Sequence, residues 1–383
     1  MKFAPLSRRQ LLAIPGLFAL AAAVEKSAFA SERVVYIGTY TGETSKGIYA
    51  FRFDDSTGGL TPLGLVAETP SPSFLTASAN GRFVFAVNEL QSFESAASGS
   101  VTSFAADSVT AKLTQISVQP SNGAGPCHLA LDRTGRYLAV ANYSGGNFSL
   151  FPVGADGRLQ PATRVVAGSR SEAGSAPPSR PLGHMVGFDA HNRFLIGADK
   201  GLDRLLVYRF DASTGGLTPN QPPSAALPPG SGPRHFAFHP NGTWLFAINE
   251  QAATITTLAW DQESGSLTVS GSVSTRPADV TTGSTAEIAV HPTGRFVYGS
   301  NRGHDSIAVF AVGAGGALTL VEYQSTRGKT PRNFALDPSG RWVIAANQQS
   351  GTLAVFSIDQ KTGTLSPVGP LTSVETPVSI LFV

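Results

Sequence analysis

Six stretches of this 383-residue chain repeat one pattern, and no other feature narrows the fold as much. They read PSFLTASANGRFVFAVNE, PCHLALDRTGRYLAVANY, LGHMVGFDAHNRFLIGADK, PRHFAFHPNGTWLFAINE, TAEIAVHPTGRFVYGSNR and PRNFALDPSGRWVIAANQ, beginning at residues 72, 126, 182, 233, 285 and 331. Each is a short β-rich run, a turn of the x-x-Gly-Arg kind, a second run and usually Asn. A third run follows, such as SIAVFAV or TLAVFSID, then a turn like STGGLTP into a fourth. Four strands per period of 46 to 56 residues, with no helical periodicity anywhere, predict antiparallel blades of a β-propeller.

The chain ends supply one more unit. RVVYIGTY, GIYAFRFD and LTPLGLVAE match the second, third and fourth strands of a repeat that lacks its first, and TPVSILFV at the C-terminus has the form of that missing strand. Sharing one blade between the two ends closes the ring and leaves no open sheet edge at the closure. The expectation is an all-β, seven-bladed propeller of four-stranded antiparallel blades spanning residues 31–383 as a single domain. The two longest irregular stretches, SRSEAGSAPPSRPLG and NQPPSAALPPGSGP, fall between repeats and read as long rim loops.

Residues 1–30 stand apart from this pattern. SRRQLLAIPGLFALAAAVEKSAFA joins Arg8 and Arg9 to an apolar stretch from Leu11 to Val24 and ends in Ala28-Phe29-Ala30. Paired arginines, an apolar stretch too short to span a bilayer and a small-residue end predict a cleaved twin-arginine signal. The implied partner is the twin-arginine export machinery, and the implied location is the periplasm. Cleavage removes Lys2, Arg8, Arg9, Lys26 and Glu25, which takes the formal net charge from +2 to −1. Neither a nucleic-acid-binding surface nor, once the signal is gone, a membrane partner follows from that balance. A single cysteine, Cys127, excludes an internal disulfide framework.

In an antiparallel hairpin the start of the first strand and the end of the second lie at one end. In a propeller these are the inner strands, so both positions crowd one mouth of the central channel. Aligned by their turns, the first strands begin Ser73, Cys127, His184, Arg234, Ala286, Arg332 and Val378, followed by Phe74, His128, Met185, His235, Glu287, Asn333 and Ser379. The second strands end in Asn88, Asn142, Asp199, Asn249, Asn301 and Asn347, an almost invariant column suited to bonding the backbone of each turn. The next residues vary: Tyr40, Glu89, Tyr143, Lys200, Glu250, Arg302 and Gln348. Charges of both signs around one channel mouth read either as a ligand cage or as a ring of solvated ion pairs.

The segments GPRHFAFHPNGTWLFAINE, AEIAVHPTGRFVYGSNRGHDSIAVF and PRNFALDPSGRWVIAANQQSGTLAVF resemble the lactonase propeller family that includes bacterial 6-phosphogluconolactonase and fungal carboxymuconate cyclase. The likeness extends from Val34 to Val383. It implies a metal-independent lactone-handling site of one His, two Arg and one Glu, which fall here on His184, Arg234, Glu250 and Arg302, with no cofactor. His128, His235, Arg332, Lys200 and Glu89 occupy the same columns and are expected as further substrate contacts. The implied partner is a small-molecule lactone or carboxylate. Because the chain carries an export signal, a phosphorylated sugar lactone is not assured as the substrate. Muconate cycloisomerisation, or ligand binding without catalysis, suits the same fold.

Lactone hydrolysis needs an activated water, a stabilised oxyanion and a proton for the leaving alkoxide. Glu250 is the candidate base, yet two flanking arginines would lower its pKa, which leaves His184 as the alternative acid or base. Other chemistries gain little. His235 and His239 are four apart on a strand, but His239 and His291 stand where other repeats have Asp132 and Asp337, a turn position, so metal ligation is disfavoured. Strand alternation sends Cys127 and His128 to opposite faces, against a thiol–imidazole dyad. No Gly-x-Ser-x-Gly elbow and no phosphate-cradling Gly-rich loop occur.

Overall fold

The computed structural model describes residues 32–168 and 180–383. The signal assigned to residues 1–30 and the greater part of the first irregular stretch lie outside these residues. Among them the strands form seven four-stranded antiparallel sheets. The first blade holds β1 (Glu32–Thr39), β2 (Gly47–Asp54) and β3 (Leu60–Glu68), with β28 (Pro377–Phe382) as its innermost strand. The others run in chain order. They are β4 (Phe74–Ala77), β5 (Phe83–Asn88), β6 (Ser100–Ala106) and β7 (Leu113–Pro120); β8 (Pro126–Leu131), β9 (Tyr137–Asn142), β10 (Asn147–Pro152) and β11 (Arg164–Val166); and β12 (Gly183–Phe188), β13 (Phe194–Asp199), β14 (Arg204–Asp211) and β15 (Gly216–Ala226). There follow β16 (Pro233–Phe238), β17 (Trp244–Asn249), β18 (Thr254–Asp261) and β19 (Ser266–Ser274); β20 (Ser284–Val290), β21 (Phe296–Arg302), β22 (Ser306–Val312) and β23 (Leu318–Ser325); and β24 (Pro331–Leu336), β25 (Trp342–Asn347), β26 (Thr352–Ile358) and β27 (Leu365–Ser373).

The innermost strands touch in the closed order β28, β4, β8, β12, β16, β20, β24 and back to β28, so the sheets form a seven-bladed propeller. Closure is the split blade foreseen from the chain ends: Tyr36 pairs with Leu381 and Ile37 with Ile380. The hydrophobic core is divided among the blade interfaces. One cluster joins Ile196, Ala198 and Val207 of the fourth blade to Phe236, Leu245 and Trp260 of the fifth, and each of the other interfaces has its own. Alternate residues of the middle strands face neighbouring blades on both sides, which is why they read as nearly continuous apolar runs.

The second irregular stretch is not a rim loop. Asn220–Ala226 belongs to the outermost strand β15, and only residues 227–232 connect to the next blade. Pro222 and Pro223 are tolerated there because β15 is an edge strand, where a missing N–H breaks no ladder on the open side. The inner hairpin turns need left-handed backbone. Gly81, Gly135, Gly242, Gly294 and Gly340 supply it with φ of 67° to 74°, and in the fourth blade Asn192 takes the same place at φ 58°.

Candidate active site

β-Bulges aim the site residues. At the start of β16, Pro233 pairs with Asn249 and His235 with Ile248, so Arg234 is an extra residue opposite no partner. The same shift sets off Cys127, His184 and Arg332 at the starts of β8, β12 and β24. A bulge interrupts side-chain alternation and turns neighbouring side chains toward one side. Accordingly Arg234 Nη1 lies 3.3 Å from the ring Nε2 of the adjacent His235. Simple alternation therefore fails as the argument separating Cys127 from His128. The thiol in fact meets the neighbouring blade, with Sγ 3.8 Å from His184 Nδ1 and 3.2 Å from the His184 carbonyl oxygen. Burial pushes this thiol's pKa up, so no thiolate dyad forms.

Glu250, following β17, gathers cations from three blades. Its Oε1 lies 2.6 Å from Lys200 Nζ and 3.3 Å from Arg302 Nη2, and its Oε2 lies 3.2 Å from Arg234 Nε. Arg234 Nε faces the carboxylate without an aligned hydrogen bond, and Arg302 Nε likewise has no hydrogen-bond partner among the described residues. Each side chain has a backbone anchor: Arg234 Nη1 donates to the Ala286 carbonyl at 2.6 Å, and Arg302 Nη2 to that of Thr285 at 2.9 Å. Burial alone would raise the Glu250 pKa, but Arg234, Arg302 and Lys200 outweigh it and hold the carboxyl at about 2. Burial, with Arg332 and Arg302 nearby, lowers Arg234 to about 10.

Two cation–aromatic pairs flank this centre. Lys200 Nζ stands 5.4 Å from the Tyr143 ring centroid, and the Arg332 guanidinium 5.2 Å from that of Tyr40. Arg332 Nη2 donates to the Tyr40 hydroxyl at 2.7 Å, and that hydroxyl donates to Glu89 Oε2 at 2.9 Å. The remaining nitrogens of Arg332 have no hydrogen-bond partner among the described residues.

Three imidazoles pack together beside the cluster. The His235 centroid is 5.2 Å from those of both His128 and His184, and Phe74 stacks on His128 at 4.1 Å. Burial comes first among the causes that hold all three pKa values well below the usual 6.5; for His184 and His235 the positive field of Arg234 is next. All three are therefore neutral at pH 7.

Of the nine residues singled out from sequence, Arg234, Glu250, Arg302 and Lys200 are joined by direct ion pairs. Arg332 and Glu89 are joined through Tyr40, and His128, His184 and His235 form the imidazole group. His184 does not hydrogen-bond Glu250. Sequence reasoning passed over Glu287, Asn333, Tyr40 and Tyr143, although each stands in an aligned mouth column. The Asn column is architectural as expected: Asn249 Nδ2 donates to Thr254 and Thr256, and Asn347 Nδ2 to the Thr326 carbonyl. His239 and His291 are turn residues whose Nε2 atoms bond the Gly294 and Gly340 carbonyls, each at 2.8 Å. Among the described residues no group of three or more His, Cys, Asp or Glu is placed to hold a metal ion. A cavity of about 610 Å³ lies at the opposite end of the strands, lined by residues such as Asn80, Asp132 and Arg133. The mouth, not this cavity, is where buried charges of both signs from several blades meet, with Glu250 held low, Arg234 lowered and Glu287 raised, which makes the mouth the candidate active site.

The model of the lactonase family of 7-bladed β-propellers matches residues 34–382. The 6-phosphogluconolactonase of Bacillus subtilis strain 168 is 34% identical over 353 residues, covering 91% of this chain and 97% of that protein. The 6-phosphogluconolactonase of Formosa agariphila is 31% identical, covering 79% and 86%. The solved structure of the periplasmic gluconolactonase PpgL of Pseudomonas aeruginosa superposes with a TM-score of 0.85 at 33% identity, covering 92% of this chain and 99% of that one.

Proposed function

The chain belongs to the lactonase family of seven-bladed β-propellers, and from that premise we propose that it hydrolyses a sugar-acid or related hydroxy-acid lactone at the channel mouth. Water adds to the lactone carbonyl carbon, the ring C–O bond breaks and the alkoxide takes a proton, giving a hydroxy acid. Arg234 and Arg302 stabilise the oxyanion. Arg332, with nitrogens unpartnered, binds an anionic or hydroxyl group of the substrate. Glu250 is too acidic at about 2 to be an effective base at neutral pH; it assembles Arg234, Arg302 and Lys200. His184 then carries the proton, a role its neutral imidazole allows.

The single observation that carries this reading is the excess of cations: four guanidinium or ammonium groups converge while the one carboxylate of Glu250 is ion-paired with three of them and Glu89 is occupied by Tyr40. Such a site favours developing negative charge. The test is base uptake at constant pH with δ- and γ-lactones, phosphorylated and not, against spontaneous hydrolysis and with and without chelator. Turnover that survives chelator supports a metal-independent lactonase. No turnover of any lactone, with loss of muconate absorbance instead, would transfer the site to cycloisomerisation.

We infer further that residues 1–30 direct export of a single propeller domain, so that the substrate is met in the periplasm. The sequence of the segment supports this, as does the likeness to the periplasmic gluconolactonase PpgL. Changing both Arg8 and Arg9 to Lys should leave the protein in the cytoplasmic fraction.

A further inference from the structure

Glu287 is a buried carboxyl beside the Glu250 cluster but outside it, and it is 8% exposed. It sits in a bulge of β20: Thr285 pairs with Asn301 and Ile288 with Gly299, so Ala286 and Glu287 together face Ser300, whose hydroxyl accepts the Glu287 N–H at 2.9 Å. Two fixed donors and one imidazole nitrogen surround the carboxyl. Ile288 N–H donates to Oε1 at 3.0 Å, His235 Nδ1 lies 2.8 Å from the same oxygen, and Asn333 Nδ2 donates to Oε2. Asn333 cannot turn over to present its oxygen, because that oxygen already accepts Ile380 N–H at 2.9 Å.

When ionised, the carboxylate can only accept, so it requires the proton on His235 Nδ1. That in turn fixes the His235 tautomer. With Nδ1–H donating to Glu287, Nε2 keeps a lone pair, and it points at Arg234 Nη1, 3.3 Å away. The same Nη1 donates to the carbonyl of Ala286, the residue before Glu287. Arg234 is thus held on one side by the Glu287 segment and on the other by Glu250.

We propose that Glu287 is a positioning residue: acting through His235, it holds the Arg234 guanidinium against Glu250, and protonation of Glu287 releases that hold. A protonated carboxyl must donate. Facing His235 Nδ1 it drives the ring proton to Nε2, where a second donor opposes Arg234 Nη1. One proton is gained by the pair, and the imidazole keeps a single proton on the other nitrogen. The charged and titratable groups facing the pair are Arg234 of β16, Glu250 after β17, Arg302 at the end of β21, Arg332 of β24, His128 of β8 and His184 of β12. Burial places the Glu287 transition near neutrality, at about 7.

The proposal rests on the lactonase reading only for what Arg234 serves, so one arm of the test avoids activity. In the intact chain carrying isotope-labelled histidine, nuclear magnetic resonance should show His235 as the Nδ1–H tautomer at alkaline pH and as the Nε2–H tautomer once Glu287 is protonated. Glu287→Gln should abolish that switch. An Nε2–H tautomer at alkaline pH in the wild type, or a switch of unchanged midpoint in the variant, overturns the proposal. If the variant does not fold, the wild-type titration alone decides. In the kinetic arm, kcat/KM should fall on the acid side with the same midpoint, and Glu287→Gln should lower it about 10- to 100-fold, the loss expected for one buried charged hydrogen bond, and remove that acid limb. A variant retaining the wild-type limb overturns the proposal. A wild type that turns over no lactone would overturn the proposed function and leave the resonance arm to judge Glu287.

Discussion

The two ends of each inner hairpin are built from the same strands and obey different rules. At the turn end one solution recurs. Asp132, Asp189 and Asp337 each accept backbone N–H groups two, four and five residues ahead, the last pair for Asp337 coming from Arg341 at 2.8 Å and Trp342 at 2.7 Å. At the mouth end no two blades agree, and cations, imidazoles and a carboxylate meet across blade boundaries. The turn end satisfies its polar groups with nearby backbone and neutral side chains, mostly within the blade and in places, as from His239 to Gly294 and His291 to Gly340, in the next. The mouth leaves charge whose compensation comes from elsewhere in the ring, an arrangement that costs stability unless it serves a ligand.

The sharpest test of this contrast is Glu250→Gln. Three cations would lose their common carboxylate in a partly buried site, so we expect kcat/KM on the best lactone to fall about 100-fold or more and unfolding free energy to drop by about 3 kcal/mol. Chemical denaturation and steady-state kinetics measure both. A variant of full activity would reduce the mouth to a set of structural ion pairs.

The imidazole group gives the mouth a pH signature that the turn end lacks. Histidines held neutral in the fold take up protons on unfolding once the pH drops below their unfolded value of 6.5. Glu287 acts oppositely: its folded pKa of about 7 exceeds the unfolded 4.5, so its contribution grows as pH falls through that interval. While the imidazoles stay neutral in the fold, three protons gained against one lost leave about two, so stability should decline as pH falls below 6.5, by up to about 2–3 kcal/mol per pH unit. Below 4.5, protonation of Glu250 adds a further decline toward its folded value of about 2. Thermal unfolding across that range checks the slope; a flat profile would mean the imidazoles carry charge in the fold.

Much of this was legible in the sequence because blades are repeats: the period, the shared blade at the chain ends and the mouth columns all follow from hairpin geometry. Two things were not. A bulge adds one residue without altering composition, so the turn of Arg234 toward His235 and of Cys127 toward His184 left no trace in the pattern. The two arginines beside Glu250 were expected from the resemblance, but the ion pair with Lys200 was hidden, since the two meet only once the ring has closed. Hence Glu250 stood as a candidate base despite its arginines, and Glu287 was not singled out. The Pro-rich stretch at residues 220–226 misled for a related reason, because an outermost strand accepts the residues that elsewhere mark a loop.

The smallest effects belong to the turn end, and they decide whether its uniformity is architectural. Asp337→Ala strips four donors of their acceptor at a position that is only 1% exposed, and should cost about 2 kcal/mol with kcat/KM unchanged. His239→Asp asks less. The new carboxylate can still accept Asn241 N–H, as the Nδ1 of His239 does at 3.1 Å, but it cannot reach across to the Gly294 carbonyl. Loss of that one neutral bond predicts a change of about 1 kcal/mol or less in denaturant unfolding, and none in turnover. If His239→Asp instead altered kcat/KM, the turn end would communicate with the mouth through the strands, and the division drawn between the two ends of each hairpin would fail.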